Sequence, residues 1–224
     1  MKRKRPGRYA TSPGPEGQFE PGSGGRVLRN RLGIRSKRTM DRVEYEALVR
    51  VQADYLERIT AQTRFTAAMI CRMHRDWLGD IYGWAGEYRS VELAKGNFRW
   101  PPAFRVGSNM ERFEHQGLHV HTPCRAGPLD NVARRIAEVH GELMLIHPFR
   151  DGNGRLGRWL ADLMAFQAGF PAPSPAFGFS GRGSMEHRRR YIEAVATGYL
   201  GNYEDLAAFF ALAIEARLRD AQTA

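Results

Sequence analysis

The chain has 224 residues, 42% of them hydrophobic, with a formal net charge of +10. That length allows a real core and makes one domain the first expectation, while no apolar run approaches the length of a membrane span. The charge is not spread evenly: residues 1–38 hold eleven Lys/Arg and two Glu, so the rest of the chain is close to neutral.

Two cysteines, Cys71 and Cys124, stand far apart without metal-ligand spacing, which points to a reducing, cytoplasmic setting. The start, M-K-R-K-R-P-G-R, has no apolar segment after its charges, so neither a signal peptide nor a membrane anchor is expected. Residues 1–24 are rich in Gly, Pro, Ser and Arg and read as a basic flexible arm, mobile or lying across the domain. Such an arm is usually solvated, and it can also bind nucleic acid. Residues 25–224 read as a single domain.

Residues 27–34 form a short apolar lead-in. Residues 41–59 and 64–81 read as amphipathic helices, the first capped by Thr39 or Asp41. Trp77, Tyr82 and Trp84 fall at helical spacing and read as packing. From Arg89 to Trp100 the helical period is lost, and S-V-E-L-A-K-G-N-F alternates weakly with a glycine near its tip, which predicts a β-hairpin. Residues 109–117 read as a helix. His115, His119, His121 and Cys124 follow closely but fit no standard zinc spacing.

Residues 131–146 are strongly periodic and lead into His147. His140 and Glu142 belong to no H-E-x-x-H, so His140 reads as structural. Residues 147–158 then read H-P-F-R-D-G-N-G-R-L-G-R, followed by a helical period over 155–170. Gly152, Asn153 and Gly154 can turn successive N–H groups toward one point, and the helix mouth adds more amides and the positive end of its dipole. Arg155 and Arg158 lie one turn apart beside it, suited to forking onto phosphate oxygens. Asp151 suits a hard cation such as Mg²⁺ bound with substrate phosphates. His147 is the side chain most easily poised as a general base near neutral pH, and Phe149 reads as an anchor to the core. After a Pro/Gly-rich connector, 169–183, helices are predicted at 184–197 and 203–219.

This stretch resembles, position by position, the H-P-F-x-[DE]-G-N-G-R-x-x-R signature of the Fic (Fic/Doc) family. The likeness extends to M-H-R-D-W-L-G-D-I-Y-G-W-A-G-E-Y-R (73–89), K-G-N-F-R-W (95–100) and R-R-R-Y-I-E-A-V (188–195), and covers roughly residues 25–210. It implies a mostly helical, all-α fold with a small β-hairpin flap beside the active site. It also implies an ATP-using protein adenylyltransferase, an AMPylator: His147 as base, Asp151 on Mg²⁺, and Gly152, Asn153, Gly154, Arg155 and Arg158 on the phosphates. Lys95, Gly96, Asn97 and Phe98 would be the flap that pairs with a target protein's extended segment, and Tyr191 would contact the nucleotide base.

S-P-G-P-E-G (12–17) formally fits the family's inhibitory [S/T]-x-x-x-E-[G/N] pattern, making Glu16 a candidate inhibitory residue. Pro13 and Pro15 disfavour the helix that normally carries it and favour coincidence. No later stretch fits, so the resemblance also admits a separate small antitoxin, as in toxin–antitoxin pairs. Alternatives are a Fic-fold transferase using another donor, a kinase-like phosphoryl transferase, or a nucleic-acid-binding module working through the basic arm.

Overall fold

A computed structural model describes residues 9–12, 14–179 and 183–223. The first eight residues of the predicted arm, Pro13 within the Glu16 pattern, and residues 180–182 of the predicted connector lie outside the described residues. The structure is mostly helical with one small sheet, as expected. Strands β1 (Ala10–Thr11), β2 (Leu93–Lys95) and β3 (Phe98–Arg99) form an antiparallel sheet in the order β1-β2-β3. The helices are α1 (Lys37–Arg58), α2 (Ala67–Leu78), α3 (Val106–Phe113), α4 (His119–His121), α5 (Leu129–Ile146), α6 (Asn153–Gln167), α7 (Ser184–Thr197) and α8 (Glu204–Thr223).

Chain contacts group the residues into two compact units interleaved along the sequence. The first takes the chain up to Glu57, then Ala67–Glu111 and Ile146–Asn153. Its core is built by α1 and α2. Trp77, almost fully buried, donates its indole N–H to the Glu44 carbonyl at 2.8 Å, and the Tyr82 hydroxyl bonds the Glu44 carboxylate at 2.6 Å. Helix α1 starts earlier than predicted. Ser36, not Thr39 or Asp41, is its cap, its Oγ accepting the Thr39 amide at 3.3 Å.

The second unit takes Arg58–Thr66, Arg112–Leu145 and Gly154–Ala224. Along α5, Val132, Ala133, Ile136, Ala137, His140 and Leu143 are buried, a stripe at three- and four-residue steps. Helix α6 comes so close to α5 that a Cβ on Gly157 would lie 2.7 Å from the Met144 methyl. Gln167 ties this unit together, taking the Cys124 amide on Oε1 and donating Nε2 to the carbonyls of Thr60 and Thr63. The Cys124 thiol is buried and pushed up to about 11 by desolvation, which keeps it protonated and inert. His119 and His121 pair with Glu114 (3.5 Å) and Glu138 (2.8 Å), and among the described residues no group of three His, Cys, Asp or Glu could hold a metal ion. Among those residues, no helix is long and apolar enough to cross a membrane.

Candidate active site

Helix α5 ends at Ile146, and His147 turns the chain with φ +51°. A left-handed conformation costs a non-glycine residue about 1–2 kcal/mol, so something must hold it there. Arg89 does so: its Nε–H reaches the His147 carbonyl at 2.8 Å, and its own amide reaches the Pro148 carbonyl at 2.8 Å. The same guanidinium donates to the carbonyls of Val91 (3.0 Å) and Pro101 (2.6 Å), so one buried cation ties the loop to both ends of the hairpin. Burial presses its pKa down, while Glu92 and Glu16 act in the other direction.

The turn aims the imidazole toward the sheet. His147 is 6% exposed, its ring 4.2 Å from that of Trp100 and 5.5 Å from that of Tyr9. The Tyr9 hydroxyl lies 3.0 Å from His147 Nε2.

Beyond His147, three side chains fix the loop. Phe149 is fully buried, stacked on His74 with centroids 3.9 Å apart and rings 6° from parallel. Asn153 closes a reciprocal pair with the Phe149 backbone, Oδ1 accepting its N–H at 2.9 Å and Nδ2 donating to its carbonyl at 2.7 Å. His74 accepts the Gly86 amide on Nδ1 at 2.9 Å, which leaves the proton on Nε2 for the Asp151 carbonyl at 3.0 Å. Gly152 sits at φ +88°, where a Cβ would meet Trp77 at 3.0 Å and His74 at 3.1 Å, so only glycine fits.

The expected amide nest differs in one respect. Of the three residues 152–154, Gly152 has positive φ, and its N–H donates to Asp151 Oδ1 at 2.6 Å; α6 already begins at Asn153, two residues before its predicted start. The Asn153 side chain makes this possible by standing in for the backbone partner that Phe149 would otherwise lack. Asp151 is partly exposed; Arg150 is buried and donates Nε to the Glu16 carbonyl at 3.0 Å.

Arg155 and Arg158, partly exposed, are one turn apart on α6. The Arg158 guanidinium lies 5.5 Å from the Phe179 ring centroid, with Arg188 at 5.0 Å on the same ring. Tyr191 is 8% exposed; its hydroxyl is 2.6 Å from His140 Nε2, and its ring packs with Phe177, Phe179 and Phe209. That is a core position, which does not favour the expected contact with a base.

In the hairpin, Lys95, Gly96 and Asn97 are exposed at the tip, with Gly96 at φ +61°. Phe98 is half-buried, edge-on to Trp100 at 5.0 Å. The outer edge of β2 is taken by β1, with Ala10 opposite Ala94 and Thr11 opposite Leu93. Ser12 continues the pairing through its amide to the Glu92 carbonyl and its Oγ to the Glu92 amide. Glu16, on a 3₁₀ turn (Pro15–Gly17), turns its carboxylate to the hairpin base: Oε1 accepts from the Ser90 amide (2.5 Å), the Ser90 hydroxyl (2.8 Å) and the Val91 amide (2.9 Å). The described part of the leading segment is therefore docked along the hairpin. Sequence reasoning missed Tyr9, His74, Arg89 and Trp100. For Tyr9 a weak signal existed, since a residue before proline, here Ser12, is biased to an extended conformation.

Residues 64–165 match the Fic/DOC family. Protein adenylyltransferase VbhT of Bartonella schoenbuchensis is 30% identical over 144 residues, 64% of this chain and 30% of that protein, so the chain spans under a third of this relative's length. The probable protein adenylyltransferase Fic of Salmonella typhimurium is 28% identical over 148 residues, 64% of this chain and 70% of that protein. In fold, the chain is similar to BepC of Bartonella tribocorum, solved with AMPPNP bound: TM-score 0.64 at 21% identity, covering 82% of this chain and 90% of that one. The H-P-F-R-D-G-N-G-R-L-G-R stretch, residues 147–158, falls inside the 64–165 match, so this part of the chain is similar to the Fic/DOC family.

Proposed function

We propose that this protein transfers AMP from ATP to a Ser, Thr or Tyr hydroxyl of a target protein and releases pyrophosphate. The observation that carries the reading is a hydroxyl 3.0 Å from His147 Nε2, within the reach a general base needs, beside a hairpin that accepts an extended strand. The adenylyltransferase names of its relatives support the same chemistry.

His147 Nε2 takes the proton of the acceptor hydroxyl as its oxygen bonds to the α-phosphorus. The bond from that phosphorus to the bridging oxygen breaks, and pyrophosphate leaves. Arg155 and Arg158 take the β- and γ-phosphate oxygens, and the amides of Asn153 and Gly154 at the start of α6 face the phosphate charge. Gly152 serves the turn rather than the anion while its N–H is engaged by Asp151. A fixed geometry of this kind contributes through positioning and electrostatics, with general-base help of about 10²–10⁴-fold.

Asp151 is a single hard carboxylate fixed by the Gly152 amide, a donor that fits Mg²⁺ arriving with the nucleotide. When bound, the ion would neutralise charge on the α- and β-phosphates. The hairpin residues 95–98 select the target by strand addition. We assign Glu16 to holding the leading segment on the hairpin base, and Tyr191 to packing. Restraint by a separate small antitoxin protein then becomes the expected control, in a cytoplasmic setting.

Purified protein given ATP labelled on the α-phosphate, Mg²⁺ and cell lysate should label a discrete protein band, and His147→Ala should abolish it. Labelling that survives His147→Ala would remove the assigned base; label from the γ-phosphate alone would make the enzyme a kinase.

A further inference from the structure

We infer that the leading segment docks on the hairpin as an intramolecular substrate, and that the Tyr9 hydroxyl is an acceptor for AMP in cis. This rests on the adenylyl-transfer reading above and adds a modification site within the chain.

The first support is backbone register. A target strand must lie antiparallel along the free edge of β2, and residues 10–12 already do, opposite residues 92–94. The second is the hydroxyl itself. Of the hydroxyls at Tyr9, Thr11 and Ser12, that of Ser12 accepts the Glu92 amide at 2.9 Å, while that of Tyr9 meets His147 Nε2 at 3.0 Å. The third is how firmly the segment is held. Its Glu16 carboxylate takes three donors from Ser90 and Val91, its Glu16 carbonyl takes Arg150 Nε, and Tyr9 packs with Val91, Leu93 and Trp100. A tyrosine that only filled space would not need its one polar atom on the catalytic imidazole, because burying a phenol is satisfied by any acceptor.

The chemistry balances as for an external target. Tyr9 Oη loses its proton to His147 Nε2 and forms a phosphodiester with the α-phosphorus of ATP, and pyrophosphate leaves. Esterified, the phenol can no longer donate to Nε2, so the reaction should stop at one AMP per chain. While unmodified, the docked segment covers the edge that an outside target needs.

The test is to incubate purified wild-type chain with α-labelled ATP and Mg²⁺, without lysate, and map the label by peptide mass spectrometry. Label should fall on Tyr9 and saturate at one per chain. The fraction labelled at a given time should not change on tenfold dilution, as a reaction in cis requires. Tyr9→Phe should lower self-labelling at least tenfold while still labelling targets in lysate. Label on another residue, dilution-dependent labelling of Tyr9, or lysate targets labelled while the chain itself stays unlabelled would each overturn the inference and leave the transfer activity standing. No label on any protein with either the wild-type chain or Tyr9→Phe would overturn both.

Discussion

Arg89 and His147 are joined by one hydrogen bond, from a buried guanidinium Nε to a backbone carbonyl 2.8 Å away, and that bond holds the proposed base in its left-handed turn. Arg89 is 2% exposed and donates to three carbonyls in all. Lysine could carry the charge but not the fork, because its ammonium cannot face three acceptors in one plane. Arg89→Lys is therefore expected to keep the helical circular dichroism while lowering the rate of AMP transfer at least tenfold. Retention of full activity would show that the imidazole is placed without it.

The Asn153 amide is the sole side chain bonded to both polar groups of the Phe149 backbone among the described contacts. Asn153→Ala would leave a buried N–H and a buried carbonyl to find other partners. At about 1–3 kcal/mol for each such group, a loss of about 2–6 kcal/mol in unfolding free energy is expected. Asn153→Asp can still accept from the Phe149 N–H but sets an anion against the carbonyl, so it should sit with the alanine variant rather than with wild type. Urea denaturation at neutral pH reads both.

Two buried groups in the second unit push stability in opposite directions with pH. His140 is lowered to about 4, chiefly by desolvation, opposed by a bond involving the Gly157 backbone and reinforced by Arg158. Its neutral form is the folded one, so its contribution is complete above pH 6.5 and is lost as pH falls toward 4, about 3 kcal/mol in all. Asp162 is raised to about 6, again chiefly by burial, with the Ser174 hydroxyl and amide and Arg158 opposing. Its protonated form is favoured by folding, so acidification from pH 6 toward 4 recovers about 3 kcal/mol. The two nearly cancel in wild type. Asp162→Asn should therefore make stability fall more steeply on acidification than in wild type, and His140→Gln should make it fall less or rise. Urea midpoints at pH 7 and pH 4.5 decide it, and parallel pH profiles for all three proteins would refute the assignment.

Local chemistry explains what the sequence made legible. The 147–158 loop combines glycine, asparagine and arginine at fixed offsets, and α7 falls at its predicted bounds, Ser184–Thr197, because its apolar period and flanking glycines are local signals. The loss of period after Arg89 likewise marked the hairpin. What stayed hidden depends on distant backbone. Pairing of Ala10 with Ala94 draws on N–H and carbonyl groups that every residue has, so a Gly- and Arg-rich segment that cannot fold alone gave no sign of docking. His74 sits within an ordinary amphipathic helix, and its two hydrogen bonds, to Gly86 and Asp151, exist only once the fold has formed. Ser36 was passed over as a cap because Thr39 and Asp41 are equally good capping residues nearby.

Glu16 separates charge from geometry. Three donors converge on its Oε1, and all three would accept a neutral amide oxygen in the same place. Glu16→Gln should therefore keep the leading segment docked, with hydrogen exchange at residues 10–12 and 92–94 as slow as in wild type. Glu16→Ala leaves the Ser90 and Val91 amides unpaired, at a local cost of about 2 kcal/mol or more, and should release the segment. Exchange there should rise roughly 30-fold, since 1.4 kcal/mol is a factor of ten. Because the same segment covers the edge that a target strand would use, labelling of lysate proteins should rise in Glu16→Ala and not in Glu16→Gln. Were both substitutions to raise labelling equally while exchange stayed slow, the carboxylate would be acting through its negative charge on the nucleotide side, as an inhibitory glutamate does, and the hydrogen bonds to the hairpin would be incidental.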